Sequence, residues 1–422
     1  MLLVILLDSL KRDGKLCLQI SEKLKNYYHK ENKKIKIKII QTGSDLTRIA
    51  LSRRKSMVIH NCARTSNYDH LKRLKKLNIK NLILDTENVC LWMFSGTGLV
   101  TSNLLKNVDI YFTWGNSQKK QIEKLKTNTR IIQCGSYRHQ KIIPRKYQFD
   151  KKLLILTSAP VANPKFTTKS QAINEAKRST RLSDKSVNIS TKEQLKLANR
   201  ICNLVPSLSE IFKEIVFRVH PFENEEIYLE CASNFKNIAF SKNKYLEEDL
   251  KNCSTVLHGY SNAGIESVIS GKKTYVVKYS ENLPKFLKDY YELLKAGSTT
   301  IDIKDLSNKS FFEVHDSTVN KCDKQKIIDF YGTNKSWQEG IQIIVESIIS
   351  ESKLTFKLNF FSILKRLLVL YLLNLRKIIR KDPKPKKSKL ITTDDLNKII
   401  NQEKLNIKIK ESGIKSGIWE II

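Results

Sequence analysis

Short apolar runs rich in β-branched residues alternate with longer helical patterns from residue 2 to residue 277, and that rhythm breaks and restarts once, near residue 150. Parallel strands need a crossover helix between them, so the alternation predicts βαβ units rather than a sandwich, a barrel or a helical bundle. The first stretch predicts strands at 2–7, 35–41, 56–60, 81–84, 108–114 and 130–134. Helices are expected between them at 16–28, 46–53, 68–77, 101–106 and 117–126. The second predicts strands at 152–157, 214–219, 237–240, 255–258 and 273–277, with helices at 191–203, 245–251 and 262–270. Residues 163–190 show no clear period and read as a loop insertion with some helix. The expected fold class is therefore α/β, with two Rossmann-like doubly wound domains at 1–149 and 150–350. They are expected to face a cleft at the carboxyl ends of their strands.

At 422 residues and 41% hydrophobic content, the chain can fill the cores of two such domains. Its eight cysteines are scattered singly, without the paired spacing of a zinc site, and read as reduced core thiols. The apolar start stops at Asp8 and is followed by Lys11, Arg12 and Asp13, which reads as a first strand rather than a signal peptide. No run reaches the ~20 apolar residues of a membrane span. A cytoplasmic location follows as the expectation.

The balance of 76 basic against 42 acidic residues gives a net charge of +34. The lysines run through nearly every helix and loop, and no recognised nucleic-acid module occurs. No nucleic acid partner is expected; an anionic membrane surface and anionic substrates suit the field better. Residues 356–381 form one long helical pattern ended by Asp382-Pro383 and a Lys/Pro run through Lys389. Phe360, Leu364, Leu367, Leu368, Tyr371, Leu375 and Ile378 share a face, with Arg366, Arg376, Lys377 and Arg380 on much of the other side. Residues 351–422 thus read as a basic amphipathic helix and tail. Two readings stay open for the helix: packing on the core, or peripheral anchoring at the inner membrane face.

Candidate chemistry gathers at the ends of predicted strands. His258-Gly259-Tyr260-Ser261-Asn262-Ala263-Gly264-Ile265-Glu266 leaves a strand and opens a helix. Free backbone N–H groups and the helix dipole at such a point suit a phosphate. Ser261 and Asn262 can add donors, Gly264 allows close approach, and Glu266 can accept from ribose hydroxyls. Arg218-Val219-His220-Pro221 ends another buried strand, because the proline stops the ladder and leaves His220 at the carboxyl end. In the first domain, strand 81–84 runs out into Asp85-Thr86-Glu87-Asn88, and Asp8 ends the first strand.

These stretches resemble the nucleotide site of GT-B glycosyltransferases and, in their order, bacterial surface-carbohydrate biosynthesis proteins. The His-Pro pair is similar to that of Kdo and polysialic acid transferases with CMP-activated donors, and of CDP-glycerol glycerophosphotransferases. Val108-Asp109 through Trp114-Gly115, with Gln118, and the half-kept turn Gly135-Ser136-Tyr137-Arg138 add to the likeness. The resemblance implies a nucleotide-sugar donor bound by Arg218, His220, Pro221, His258, Ser261, Asn262, Gly264 and Glu266. His220 would stabilise the leaving phosphate, Glu87 would be the catalytic base with Asp8 its rival, and the acceptor would be a glycan or lipid-linked glycan. Thr86 and Asn88 stand where the family tends to have an acid and a glycine. No D-x-D pair, P-loop, G-x-G-x-x-G or G-x-S-x-G occurs, so neither a metal nor a cofactor is expected. Polyol-phosphate transfer from a CDP donor, UDP-sugar epimerisation, and a non-catalytic basic protein binding membrane or nucleic acid remain alternatives.

Overall fold

The computed structural model describes residues 1–422 except 8–9, 42–45, 47–49, 52–54, 64–66, 87–99, 137–149, 181–182, 244, 303–311, 313–320, 355–359, 380–390 and 412–417. The chain divides into two compact units. Unit 1 comprises Met1–Cys90, Leu99–Arg138 and Lys335–Ile422; unit 2 comprises Leu91–Gly98 and His139–Asn334.

Strands β1 (Leu2–Leu7), β2 (Lys36–Gln41), β3 (Ser56–His60), β4 (Lys80–Leu84), β5 (Ile110–Thr113) and β6 (Arg130–Gln133) belong to unit 1. Strands β7 (Lys152–Leu156), β8 (Glu214–Arg218), β9 (Ile238–Phe240), β10 (Thr255–His258), β11 (Lys273–Val277) and β12 (Thr299–Ile301) form unit 2's sheet, and β13 (Ile409–Glu411) and β14 (Ile418–Ile421) return to unit 1. Unit 1 carries helices α1 (Lys15–Lys30), α2 (Tyr68–Lys76), α3 (Ser102–Leu105) and α4 (Asn116–Glu123). Unit 2 follows with α5 (Lys169–Thr180), α6 (Asp184–Ile211), α7 (Glu226–Ala232), α8 (Leu246–Lys251), α9 (Asn262–Ile269), α10 (Lys285–Leu294) and α11 (Lys321–Tyr331). The chain then re-enters unit 1 with α12 (Trp337–Lys353), α13 (Phe360–Ile379) and α14 (Thr393–Gln402).

Unit 1's sheet runs β13-β14-β2-β1-β3-β4-β5-β6. Strands β1 to β6 pair in parallel, and β1 is buried along its whole length because helices cover both faces. At the far edge the tail, expected only as the continuation of an amphipathic helix, contributes strands. β14 adds antiparallel to β2, with Trp419 opposite Ile39 and fully buried. Helix α12, opened by a Ser336/Glu339 capping box, buries Ile341, Ile344, Val345 and Ile348. It lies against α1, where Tyr28 donates to Ser352 Oγ at 2.6 Å, and Glu351 pairs with Lys80 at 3.1 Å and Arg130 at 3.4 Å. The expected boundaries at 150–350 and 351–422 therefore give way to a unit 1 completed by residues 335–422. Apolar faces this far apart in sequence leave no local mark of their partners.

Unit 2's sheet runs β12-β11-β10-β7-β8-β9, all parallel. Counted within the unit, this is the doubly wound order 3-2-1-4-5-6, with the switch point between β7 and β10. Residues 163–190, expected as a loop with some helix, hold α5 and the start of α6. Helix α6 also runs past its expected end at residue 203, through Pro206 to Ile211. An interior proline costs a helix about 3 kcal/mol, and burial of Ile201, Leu204, Val205 and Leu208 on one face outweighs that penalty. Each unit is thus a Rossmann-like α/β layer, the kind of part from which a GT-B fold is assembled. No helix among the described residues is long and apolar enough to cross a membrane.

Candidate active site

The switch-point rim of unit 2 is built from the carboxyl ends of β7, β8 and β10. Register places His258, Leu156 and Arg218 in one row across the three strands. The chain beyond each therefore emerges on the same edge, β8 and β10 being two strand spacings, roughly 10 Å, apart.

On the β8 side, His220 and Pro221 turn the chain. His220 N–H donates to Thr157 Oγ1 at 3.0 Å, and Phe222 N–H donates to His220 Nδ1 at 3.3 Å. With Nδ1 accepting, the ring proton of the neutral imidazole is assigned to Nε2. Burial lowers the ring's pKa from 6.5 to about 4, so it is neutral at physiological pH. Beneath this turn lies Glu223, fully buried. Its carboxylate accepts from Tyr228 OH at 2.5 Å, Thr157 Oγ1 at 2.6 Å and Ala159 N–H at 3.2 Å. Glu223 thus ties the β7 and β8 exits together, and burial raises its pKa. A second strut is the bridge between Pro164 and Glu223, with Lys165 N–H donating to Phe222 O at 3.0 Å. Phe222 and Phe166 meet edge to face beside His220, 53% and 71% exposed.

On the β10 side the chain passes through Tyr260 at φ 61°, a left-handed conformation rare for a bulky residue. Stacking on Tyr291 at 4.3 Å between ring centroids and an edge contact with Tyr279 hold it there. Ser261 then caps α9, its hydroxyl accepting from Ala263 N–H at 3.2 Å. Asn262 Oδ1 accepts from Tyr331 OH at 3.1 Å. Glu266, four residues on, lies on the same helix face as Asn262 and is half-buried.

Two of the expected contact residues are enclosed. His258 is buried; its Nδ1 accepts from Ser261 N–H at 3.4 Å and its Nε2 lies 3.1 Å from Ser298 Oγ. Burial lowers its pKa to about 3. Gly264, expected to make room for a ligand, makes room for this imidazole: a Cβ there would lie 2.5 Å from the ring. His258 therefore positions the turn rather than meeting a ligand. Arg218 is likewise engaged by the protein, with Asp249 Oδ2 at 2.5 Å and Asn243 O at 3.1 Å. His220, Pro221, Ser261, Asn262 and Glu266 remain at the rim. Sequence reasoning missed Thr157, Glu223, Phe222 and Tyr260. The signal for Glu223 was its place three residues after His220; a left-handed tyrosine left none, since glycine is what such a conformation favours.

In unit 1, Glu87 and Asp8 lie outside the described residues. The residues before Glu87 are fixed: Thr86 N–H donates to Asn61 O at 2.8 Å, and buried Asp85 accepts from Tyr111 OH and Gln118 Nε2, each at 3.0 Å. Gln118 Oε1 also accepts from Trp114 N–H. Asp109 accepts from Asn81 N–H at 2.9 Å and pairs with Lys75 and Lys80. The Asp109, Trp114 and Gln118 pattern thus fastens the sheet. A cavity of about 320 Å³ lined by Lys75, Lys80, Asp109 and Glu351 sits at the amino ends of β4 and β5, the edge opposite the one where such sheets bind ligands. Among the described residues no group of three His, Cys, Asp or Glu could hold a metal ion.

No family model matches this sequence, and no curated protein matches it. Among solved structures, the chain is similar to UDP-GlcNAc 2-epimerase from Methanocaldococcus jannaschii, with 15% identity, 82% of this chain and 100% of that one covered, and a TM-score of 0.48. It is also similar to UDP-GlcNAc 2-epimerase from Neisseria meningitidis bound to UDP-GlcNAc, with 9% identity, 83% and 100% covered, and a TM-score of 0.46. For MurG from Acinetobacter baumannii the values are 8%, 83% and 99%, and 0.36.

Proposed function

We propose that this chain is a metal-independent transferase of GT-B type that moves a sugar from a nucleotide-activated donor onto a surface polysaccharide or lipid-linked glycan. The observation that carries the reading is the rim of unit 2. There a neutral His220, its Nδ1 occupied, presents an Nε2–H donor on the same edge as the Ser261-capped start of α9. Both are suited to phosphate oxygens, and neither needs a cofactor. A neutral donor binds without the cost of burying a charge. A phosphate beside it would pull the ring's pKa back up and favour proton uptake on binding.

In this mechanism the acceptor hydroxyl attacks the anomeric carbon, and the bond from that carbon to the phosphate oxygen breaks. The hydroxyl proton passes to the Glu87 carboxylate, with Asp8 the rival base, and the nucleotide leaves with the electron pair, its growing charge met by His220. Glu266 holds the ribose in ground and transition states alike. An acidic sugar on CMP is the donor we favour, in keeping with the His-Pro pair and the basic surface.

The test is a thermal-shift panel of CMP, CDP, UDP and GDP, then product masses from the corresponding sugar and polyol donors. One nucleotide should raise the melting point by mass action, and the product should gain one glycosyl unit. A gain of polyol phosphate, or an isomerised donor with no acceptor product, would replace this reading. Glu87→Gln should lower turnover by roughly 100- to 10,000-fold with nucleotide binding retained; if Asp8→Asn alone does so, the base is Asp8.

A further inference from the structure

Helix α13 docks on unit 1 the reverse way round from an ordinary amphipathic surface helix. Its inward anchor is a cation: Arg366, 3% exposed, donates from Nε to Leu77 O and from Nη2 to Asn78 O, each at 2.8 Å. These carbonyls close the C-terminus of α2, where unsatisfied C=O groups and the negative end of the helix dipole favour a guanidinium. Val369, one turn on, packs against the core cluster of Leu2, Val4, Leu74 and Leu77. The outward face is apolar. Phe361, Leu364, Leu367, Leu368, Tyr371 and Leu372 are exposed, from 39% at Leu367 to 76% at Phe361. At 100° per residue they fill one arc of roughly 140°. Leu375 and Ile378 continue the spacing in sequence.

We propose that this stripe is a membrane-docking surface, with α13 lying in the plane of an anionic bilayer, its apolar arc at the acyl boundary. Charge selects a lipid surface over a second copy of the chain. After the helix come Arg380, Lys381, Lys384, Lys386, Lys387 and Lys389 against the single acid Asp382, within a protein of net charge +34. Two such surfaces repel one another, whereas anionic headgroups attract both, at about 1 kcal/mol per basic residue near the surface. The latch at Arg366 makes the geometry in-plane: a helix held lengthwise on a folded unit cannot also span. This deepens the reading of a lipid-linked acceptor, and it supplies the partner for that acceptor's membrane.

The experiment is sedimentation of the full chain with phosphatidylcholine vesicles, with and without about a third phosphatidylglycerol. Wild type should pellet with the anionic vesicles only. Leu368→Glu with Tyr371→Glu should weaken that binding by roughly tenfold or more. These side chains are exposed, so the variant's circular dichroism and its nucleotide-induced melting shift should match wild type, which separates this proposal from the donor-site reading. Wild type left in the supernatant at low salt overturns the proposal. So does a lipid-free dimer that the same double variant converts to monomer, since the stripe would then be covered by a second copy.

Discussion

The two sheets differ in how they are completed and in where their buried polar groups go. Unit 2's sheet is drawn from a continuous run, and three of its buried polar residues, Thr157, Glu223 and His258, brace the carboxyl ends of β7, β8 and β10. Unit 1's sheet is closed by the distant β14, and Asp109 and Asp85 fasten the two ends of β4 and β5. In unit 2 burial of polar groups shapes a rim; in unit 1 it chiefly holds layers together. Hydrogen-bonded buried groups rigidify what they join. In unit 1 Asp109 braces the amino ends and Asp85 the carboxyl ends of β4 and β5, whereas Thr157, Glu223 and His258 gather on the carboxyl edge of unit 2.

The comparison breaks most decisively at Trp419. Trp419→Ala should cost about 3–5 kcal/mol in urea unfolding, while the nucleotide-induced melting shift survives, because the lost volume is in unit 1 alone. If nucleotide binding vanishes with it, the two units are not separable in this way. Next come two close-packed glycines, one in each unit. Gly340→Ala sets a methyl 2.8 Å from Cys134 O, and Gly264→Ala sets one 2.5 Å from the His258 ring. Each should cost about 1–3 kcal/mol, but only the second should weaken nucleotide binding, since only His258 holds the Ser261 turn.

Glu223→Gln sharpens the contrast. It keeps the volume yet replaces one of two acceptor oxygens with an NH2 donor, facing either the Tyr228 hydroxyl or the Thr157 hydroxyl and Ala159 N–H, costing about 1–3 kcal/mol. Turnover should fall more than nucleotide affinity, because the His220 turn loosens while α9 is untouched; equal loss of both would make Glu223 merely structural.

A last test uses pH. His60, His220 and His258 titrate near 4, 4 and 3 when folded, below the 6.5 of a free imidazole. The unfolded chain therefore binds protons first as pH falls. Stability present above about 6.5 is lost toward pH 4, offset in part by Glu223, whose raised pKa favours proton uptake when folded. Urea midpoints measured across this range should fall with pH. A flat profile would mean that the imidazoles are hydrated.

Local pattern alone determined the alternation of strands and helices, the parallel pairing it demands, and the strand ends at His220 and Ser261, because strand periodicity, proline and capping residues act over a few positions. It also marked the apolar stripe of α13. Tertiary structure decided the rest. Which way that stripe faces depends on Arg366 meeting carbonyls near residue 77, and β14's place depends on an edge of β2 far back in the chain. That His258 and Gly264 serve each other rather than a ligand follows from a ring and a backbone brought within van der Waals contact, a fact of packing that spacing does not encode.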